Sequence, residues 1–187
     1  MGYQMAKNNP DRMPDFTFKM MAAVMAVEDH LFPRIDKRIE GFPIQKDMVV
    51  VDYGCGPGRY TTRFAHLVGV RGKVYAVDVQ DLALEYVIGE MQKQGLNNIQ
   101  PVLARGYRTN IPDQTADMIF VLDMIFGVKD PSELLAEVHR LCRPQGRLIV
   151  DDGHQPRART IQMINESGKW TIEKESRDHL ECVPLVS

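Results

Sequence analysis

The order of apolar and helical segments constrains the fold of this chain more than any other feature of its sequence. After residue 47, short apolar runs recur, and helical patterns separate most of them. The runs are continuous rather than alternating, which is typical of parallel strands that are covered on both faces. They lie at 48–53, 73–77, 99–104, 117–122 and 147–150, with helical stretches near 58–68, 81–94 and 131–142. This order predicts an α/β fold with a doubly wound, Rossmann-like sheet built from βαβ units.

The segment before this alternation has a different pattern. Residues 15–31 predict a helix whose apolar residues cover most of its circumference, so we expect it to be buried on more than one side. The polar residues 1–13 predict a frayed arm, and Pro33 breaks the chain after the helix. We therefore divide the chain into an arm with a lid or packing helix, residues 1–43, and a single domain, residues 44–187.

The best specified helix follows Asp130. This residue can cap the helix, Pro131 takes the first helical position, and Glu133 completes a capping box. Apolar residues on one face then predict a helix at 131–142 that packs on the sheet: Leu134, Leu135, Val138, Leu141 and Cys142. After residue 152 the pattern predicts one more helix and a closing hairpin.

Charge and cysteine content exclude several classes of protein. The formal net charge of the 187 residues is −2, which gives no case for nucleic-acid binding. The longest apolar run, at 20–27, is far shorter than the ~20 residues of a membrane helix. Three cysteines without paired spacing (Cys55, Cys142 and Cys182) disfavour a disulfide framework and fit a reducing compartment. We predict a cytoplasmic protein with no nucleic-acid, membrane or metal partner.

A glycine-rich stretch, "VVVDYGCGPG" at 49–58, closes the first apolar run. Gly54, Gly56 and Gly58 can adopt a positive φ and let a ligand approach the backbone closely. In a doubly wound sheet, ligands bind at the carboxyl ends of the strands. The alternative is a tight turn without a ligand, but three alternate glycines exceed what one turn needs. The stretch therefore predicts a ligand-binding loop.

The glycine spacing separates two classes of cofactor. A dinucleotide fingerprint, G-x-G-x-x-G, would place a glycine at the position of Arg59, so the pattern here is G-x-G-x-G. The next apolar run ends in Asp78, 20 residues after Gly58, where an acid can accept hydrogen bonds from both ribose hydroxyls. The alternative role for Asp78 is a helix N-cap, which Asp81 could serve instead.

These motifs resemble those of the class I S-adenosylmethionine-dependent methyltransferases, in particular the small ubiquinone/menaquinone-biosynthesis-like, type 11 group. Further stretches carry the likeness, which runs from about residue 44 to the C-terminus: "VYAVDV" (74–79), "IPDQTADMIFVLD" (111–123), "VKDPSELLAEVHRLCRPQGRLIV" (128–150) and the terminal hairpin. The resemblance implies a seven-stranded sheet whose last strand is antiparallel. It also implies S-adenosyl-L-methionine as the cofactor.

The resemblance implies roles for residues at the ends of three strands. Gly54, Gly56 and Gly58 would line the methionine part of the cofactor, with Asp52 beneath the loop. From its place inside the loop, we expect Cys55 to be a small filler. Asp78 would hold the ribose, beside Val79. The backbone near Leu122 and Asp123 would face the amino-acid end of the cofactor.

Two positions depart from the family pattern. Where members often carry Gly-Asp-Ala, with the acid contacting the adenine amino group, this chain has Gly106-Tyr107-Arg108. Tyr107 could stack on adenine, or its backbone could make the contact alone, and a surface tyrosine is the alternative. Many members also carry a His pair where this chain has Phe126-Gly127. The catalytic residue therefore stays unknown.

Two segments are candidates for the acceptor side of the site. The N-terminal helix could close over it as a lid, through Phe16, Met20, Met21, Met25 and His30. Plain core packing is the alternative. Asp151, Asp152 and His154 follow the fifth apolar run and could form an acid–base group or a metal site, and turn formation with capping is the alternative.

We predict an enzyme that transfers a methyl group from S-adenosylmethionine to a small-molecule acceptor by in-line displacement. For this chemistry a protein aligns the reactants and excludes water. A second copy of the chain, in a homodimer, could complete the pocket. Two alternatives stay open: a Rossmann-type NAD(P)-dependent oxidoreductase, which would need a glycine at position 59, and a non-catalytic cofactor-binding relative.

Overall fold

The computed structural model describes residue 9, residues 11–31 and residues 34–185, which form a seven-stranded sheet flanked by helices. The strands are β1 (Val49–Tyr53), β2 (Lys73–Asp78), β3 (Ile99–Leu103), β4 (Ala116–Val121), β5 (Cys142–Val150), β6 (Trp170–Glu175) and β7 (Leu180–Pro184). The helices are α1 (Asp15–Leu31), α2 (Arg34–Ile39), α3 (Thr61–Val68), α4 (Asp81–Gln94), α5 (Pro131–Leu141) and α6 (Arg157–Ser167), with a short 3₁₀ turn at Ile125–Gly127.

The strand order is β3-β2-β1-β4-β5-β7-β6. Strands β1 to β5 run parallel, whereas β7 runs antiparallel to both of its neighbours, β5 and β6. This arrangement confirms the predicted doubly wound sheet and its antiparallel last strand. The direction of winding reverses beside β1, because β2 and β3 extend the sheet on one side and β4 extends it on the other. Such a switch point is where sheets of this type bind ligands.

Two apolar clusters hold the helices on the sheet, one on each face. Successive residues of a strand point to opposite faces, so the neighbours Val50 and Val51 of β1 belong to different clusters. On one face α3 packs through Phe64, and on the other α5 packs through Leu135. The sheet is therefore covered on both faces, as continuous apolar runs predict.

One of the two hydrogen bonds of the predicted capping box is present at the start of α5. The Asp130 carboxylate accepts the Glu133 N–H at 3.0 Å, as in a capping box. The Asp130 N–H, which a complete box would direct to the Glu133 side chain, is instead donated to the Tyr107 hydroxyl at 3.0 Å. The helix ends at Leu141, one residue earlier than predicted, because Cys142 already pairs with β4.

Helix α1 packs on one side, so the prediction that it is buried on more than one side is wrong. Phe18 and Ala22 are its buried residues, and the Phe18 ring meets Tyr86 of α4 edge-on, with centroids 5.7 Å apart. The opposite side is an exposed apolar stripe of Phe16, Met20, Val24, Val27 and Leu31. Neither α1 nor another helix in the described part of the chain is long and apolar enough to cross a membrane.

The chain before α1 is partly described. Residues 1–8 and 10 of the predicted frayed arm, and Pro33, lie outside the described residues. Arg12, in contrast to the predicted frayed arm, is held in place by two ion pairs. Its guanidinium lies 3.1 Å from the carboxylate of Asp15 and 3.4 Å from that of Asp81 in α4. The end of the arm is thus tied to the body of the protein next to α4.

Candidate functional site

A cavity of about 270 Å³ opens at the carboxyl ends of β1, β2 and β4, beside the switch point. Strand ends supply its polar groups, and α1 lies across it with apolar side chains. The lining residues are 53–57, 59–60, 78–80, Tyr107, 122–124 and 126–128, together with Asp11, Met13, Phe18, Met21 and Met25.

The three glycines of the loop after β1 all have a positive φ but different surroundings. A Cβ on Gly56 (φ +51°) would meet nothing within 4 Å, so its backbone is open to the cavity. A Cβ on Gly54 (φ +78°) would come within 2.8 Å of Met124 Cγ across the cavity wall. Gly58 (φ +87°) lies outside the cavity lining, and a Cβ there would come within 3.1 Å of Val87 in α4. Gly56 thus offers the exposed backbone, and Gly58 permits close packing of a helix.

Asp78 ends β2 and joins it to the glycine loop. One carboxylate oxygen accepts the Gly56 N–H at 2.9 Å, and the other accepts the Gln80 N–H at 2.9 Å. Burial raises the pKa of Asp78, and these backbone donors oppose that shift. The neighbouring Val79 also lines the cavity. Asp78 therefore shapes the turn before α4, and it also lines the cavity.

Asp52 and Cys55 support the loop from below. Asp52 is buried beneath it, and the Thr61 hydroxyl donates a hydrogen bond to its carboxylate at 2.5 Å. Burial raises the pKa of Asp52 to about 7, against the lowering effect of the Thr61 bond. Burial also raises the pKa of the Cys55 thiol, which keeps it protonated and unreactive. Both residues hold the shape of the loop rather than offering a reactive group.

Tyr107 is a buried residue, so the surface-tyrosine alternative is wrong. Its ring lines the cavity, and its hydroxyl bridges the N-terminal arm to α5 by donating to the Asp11 carboxylate and accepting the Asp130 N–H. Burial, with help from the Asp11 hydrogen bond, raises the pKa of Tyr107 to about 12. Gly106 lies outside the lining and has a positive φ of 61°.

Leu122 and Asp123 follow β4 and form the wall opposite Asp78. Asp123 has a left-handed backbone, with φ +55°, and its N–H is donated to both carboxylate oxygens of Asp151, at 2.9 and 3.0 Å. The Asp123 carboxylate accepts a hydrogen bond from the Tyr60 hydroxyl at 2.8 Å. The backbone and the carboxylate of Asp123 are thus held by different partners.

Asp151, Asp152 and His154 do not form an acid–base group. Asp151 binds the Asp123 N–H and the Arg38 guanidinium, the latter at 2.6 Å, whereas Asp152 pairs with Arg157 at 2.6 Å. The His154 ring meets the Phe126 ring edge-on, with centroids 4.9 Å apart. The alternative of turn formation is closer to what the structure shows. The described residues also contain no group of three or more His, Cys, Asp or Glu that could hold a metal ion.

Two of the five α1 residues that the lid prediction names lie at the cavity. Met21 and Met25 line the cavity, whereas Phe16, Met20 and His30 are exposed. Sequence reasoning missed Phe18, which also lines the cavity, although its spacing of three residues from Met21 indicates a shared helix face.

Arg59 and Tyr60, at the end of the glycine loop, were also missed as lining residues. Arg59 ties the loop to α1 through an ion pair with Asp29, with 2.6 Å between Nη2 and Oδ1. The signal was present in the sequence, because Arg59 occupies the place where a dinucleotide site would have glycine.

Comparison with known proteins fits this geometry. The methyltransferase domain family matches residues 44–182, and the chain belongs to this family. Its fold is that of the class I S-adenosylmethionine-dependent methyltransferases. Within that class, the chain is similar to the ubiquinone/menaquinone biosynthesis C-methyltransferases named UbiE.

Two of these relatives show the extent of the similarity. The UbiE protein of Marinomonas sp. (strain MWYL1) is 31% identical over 66% of this chain and 49% of its own length. That of Shewanella frigidimarina (strain NCIMB 400) is 28% identical over 83% of this chain and 62% of its own length. The chain thus spans about half to three fifths of the length of these relatives.

Two solved structures share the fold over nearly the whole chain. A SAM dependent methyltransferase from Aquifex aeolicus has a TM-score of 0.80 and 22% identity, and the match covers 93% of this chain and all of that one. A putative S-adenosyl-L-methionine-dependent methyltransferase from Methanococcus maripaludis has a TM-score of 0.74 and 17% identity, over 94% and 96% of the two chains. At these identities the comparison establishes the fold.

Proposed function

We propose that this chain is an S-adenosylmethionine-dependent methyltransferase that acts on a small, largely apolar acceptor. One observation carries the proposal. The open backbone of Gly56 and the carboxylate of Asp78 lie side by side in one cavity, joined by a hydrogen bond of 2.9 Å. Bare backbone beside a carboxylate that can accept ribose hydroxyls suits a nucleoside cofactor.

The positions of the predicted cofactor-binding residues suggest which part of S-adenosylmethionine each would contact. Asp78 and Val79 would hold the ribose, the backbone of Gly54 and Gly56 would surround the methionine part, and Tyr107 would face the adenine. The backbone of Leu122 and Asp123 would meet the amino-acid end. Asp52, Gly58 and Gly106 lie outside the cavity lining and would act by shaping the loops. Cys55 lines the cavity and would act there as a small filler.

The chemistry needs little from the protein beyond placement and exclusion of water. S-adenosylmethionine supplies a methyl group that is activated by its positively charged sulfur. Phe18, Met21 and Met25 of α1 cover the cavity and would keep water out of it. The strand ends would hold the acceptor in line with the methyl group, which accounts for much of the rate in such reactions.

The lining of the cavity indicates the acceptor class. Apart from its carboxylates, the Arg59 guanidinium, the Gln80 amide and the tyrosine hydroxyls, the wall is built mainly from methionine, aromatic and aliphatic groups. Such a wall suits an apolar molecule with few polar groups. The names of the relatives make precursors of ubiquinone and menaquinone the first acceptors to test.

Several further expectations belong to this proposal. The division between residues 43 and 44 separates the lid segment from the methyltransferase domain. A cytoplasmic location is supported by three buried free thiols, which suit a reducing compartment. Completion of the pocket by a second copy of the chain stays a prediction. The oxidoreductase alternative is not favoured, because Arg59 stands where a dinucleotide fingerprint needs glycine.

Calorimetric titration with S-adenosylmethionine, S-adenosylhomocysteine and NAD tests the proposal. We expect binding of the first two compounds and no binding of NAD. Mass spectrometry of the nucleoside that the purified protein releases on denaturation gives an independent result. Preference for NAD would contradict the cofactor, and the absence of binding to all three would favour the non-catalytic relative.

A further inference from the structure

Four adjacent strands of the sheet end at the candidate site, and Asp123 follows one of them. Asp78 ends β2, the glycine loop follows β1, Asp123 follows β4 and Asp151 follows β5, and these strands are neighbours in that order. Adjacent strands lie about 4.8 Å apart. With the ribose over β2 and the methionine part over the β1 loop, as proposed above, the transferable methyl group would face the β4 side. Asp123 is the carboxylate of the cavity lining that lies on this side.

The backbone of Asp123 is held in an uncommon conformation. A positive φ is rare for residues other than glycine, asparagine and aspartate, and the φ of Asp123 is +55°. Asp151 holds it by accepting the N–H with both oxygens, and Arg38 of α2 holds Asp151 at 2.6 Å. Burial and the charge of Asp123 raise the pKa of Asp151, and Arg38 opposes that rise. Arg38 thus compensates for two neighbouring carboxylates.

Neighbouring side chains orient the Asp123 carboxylate, which can still accept further hydrogen bonds. Oδ2 accepts the Tyr60 hydroxyl at 2.8 Å, and Oδ1 lies 3.4 Å from Arg38 Nη1. A carboxylate has about four acceptor positions, so both oxygens can accept another hydrogen bond. The other two carboxylates of the lining have different tasks, because Asp78 binds two backbone N–H groups and Asp11 binds Tyr107.

We propose that the Asp123 carboxylate accepts a hydrogen bond, and then the proton, from the O–H or N–H group of the methyl acceptor. The new bond to the methyl carbon is formed by the lone pair of the acceptor's oxygen or nitrogen, or by a ring carbon that the deprotonated O–H group makes electron-rich, and the electron pair of the broken carbon–sulfur bond goes to sulfur. The proton of the acceptor goes to Asp123. Tyr60, Arg38 and Asp151 are positioning residues that orient this carboxylate. The inference rests on the proposed function.

Binding measurements test this without knowledge of the acceptor. S-adenosylhomocysteine lacks the methyl group, whereas sinefungin carries an ammonium group at the methyl-bearing position. A carboxylate beside that position should favour sinefungin over S-adenosylhomocysteine. Asp123→Asn keeps the size of the side chain and tolerates the left-handed backbone. We expect it to lower the sinefungin preference by about tenfold, the scale of a lost hydrogen bond to a charged group. The affinity for S-adenosylhomocysteine should change little.

Two further variants keep the test decisive. Asp11→Asn removes a carboxylate from the Tyr107 side of the cavity and should leave the ratio of the two affinities unchanged. Tyr60→Phe keeps the buried ring but removes the hydrogen bond that orients Asp123. It should lower the preference for sinefungin by a smaller factor than Asp123→Asn does. This variant also provides a test if Asp123→Asn does not fold.

An unchanged ratio in Asp123→Asn would overturn the inference, and so would an equal loss of affinity for both ligands, which would place Asp123 against a part that they share. If Asp123→Asn does not fold, an unchanged ratio in Tyr60→Phe would overturn it. Failure of the wild-type protein to bind either ligand would instead overturn the proposed function, and the inference with it.

Discussion

The Asp78 carboxylate accepts the backbone N–H of Gly56 at 2.9 Å, and this hydrogen bond joins the two motifs of the candidate site. The residues lie 22 positions apart, one after β1 and one at the end of β2. Parallel pairing of these strands brings their carboxyl ends together. The proposed nucleoside site is therefore a product of the sheet, and a change in either motif should weaken binding.

Replacement of Asp78 should weaken cofactor binding. Asp78→Ala removes the ribose acceptor and the partner of the Gly56 N–H. We expect the binding free energy of S-adenosylmethionine to weaken by about 1–3 kcal/mol, the scale of hydrogen bonds to a charged group. Asp81→Ala, three residues further on in α4, is the control and should change it by less than about 0.5 kcal/mol. Calorimetry gives both values, and an unaltered dissociation constant for Asp78→Ala would exclude contact with the ribose.

Replacement of Gly56 should block the cavity without destroying the fold. Gly56→Val adds a side chain to the backbone that faces the cavity, and we expect it to abolish binding of S-adenosylmethionine. Gly69→Val is a matched control, since Gly69 also has a positive φ and open space around its Cβ position but lies outside this cavity.

Both glycine variants should lose about 1–3 kcal/mol of stability through backbone strain. Only the first should lose binding. Thermal unfolding and calorimetry separate the two effects, and binding by Gly56→Val would show that no ligand approaches that backbone.

The ion pair between Arg59 and Asp29 should slow the release of the cofactor. Its side chains are 16% and 17% exposed, and it joins the glycine loop to the helix that covers the cavity. We expect Arg59→Gln to raise the dissociation rate of S-adenosylhomocysteine about fivefold, which corresponds to about 1 kcal/mol for such a pair.

The pair of Arg71 and Asp47 is the control, because it is more exposed, at 79% and 45%, and lies away from the cavity. Arg71→Gln should change the dissociation rate by less than about twofold. Surface plasmon resonance measures both rates, and equal effects would show that α1 is not held closed by Arg59.

Asp52 should make the stability of the protein depend on pH. Burial raises its pKa to about 7, whereas in the unfolded chain it titrates near its usual value of about 3.9. Between these values the folded state binds more protons than the unfolded state, so this group lowers stability as the pH rises from about 4 to 7. Asp52→Asn removes the titration. The free energy of unfolding of the variant, minus that of the wild type, should therefore increase by on the order of 2 kcal/mol as the pH rises across this range. A constant difference in urea denaturation between pH 4 and 7 would contradict the burial of an ionisable Asp52.

Sequence patterns predict those features of this protein that depend on residues close together in the chain. The apolar runs, the glycine loop and the acid at position 78 predict the sheet, its winding and two sides of the cavity. Asp130 and Pro131 likewise predict the start of α5. Each of these features depends on backbone preferences within a few residues or on the period of a strand or helix.

Several features that sequence reasoning missed depend on partners far along the chain. Arg38 reaches Asp123 across 85 positions, and the Tyr107 hydroxyl takes the Asp130 N–H that a capping box would use. Helix α1 has apolar residues around most of its circumference, and this composition does not tell which side the rest of the protein covers. The structure shows that it covers the side of Phe18 and leaves Phe16 exposed.

A crystal structure of the protein with S-adenosylhomocysteine tests the central claim most directly. The account predicts the nucleoside in the cavity under α1, with its ribose hydroxyls on the Asp78 carboxylate and its thioether chain along the backbone of Gly56. A nucleoside bound elsewhere on the protein, with side chains filling the space beside Gly56, would contradict it.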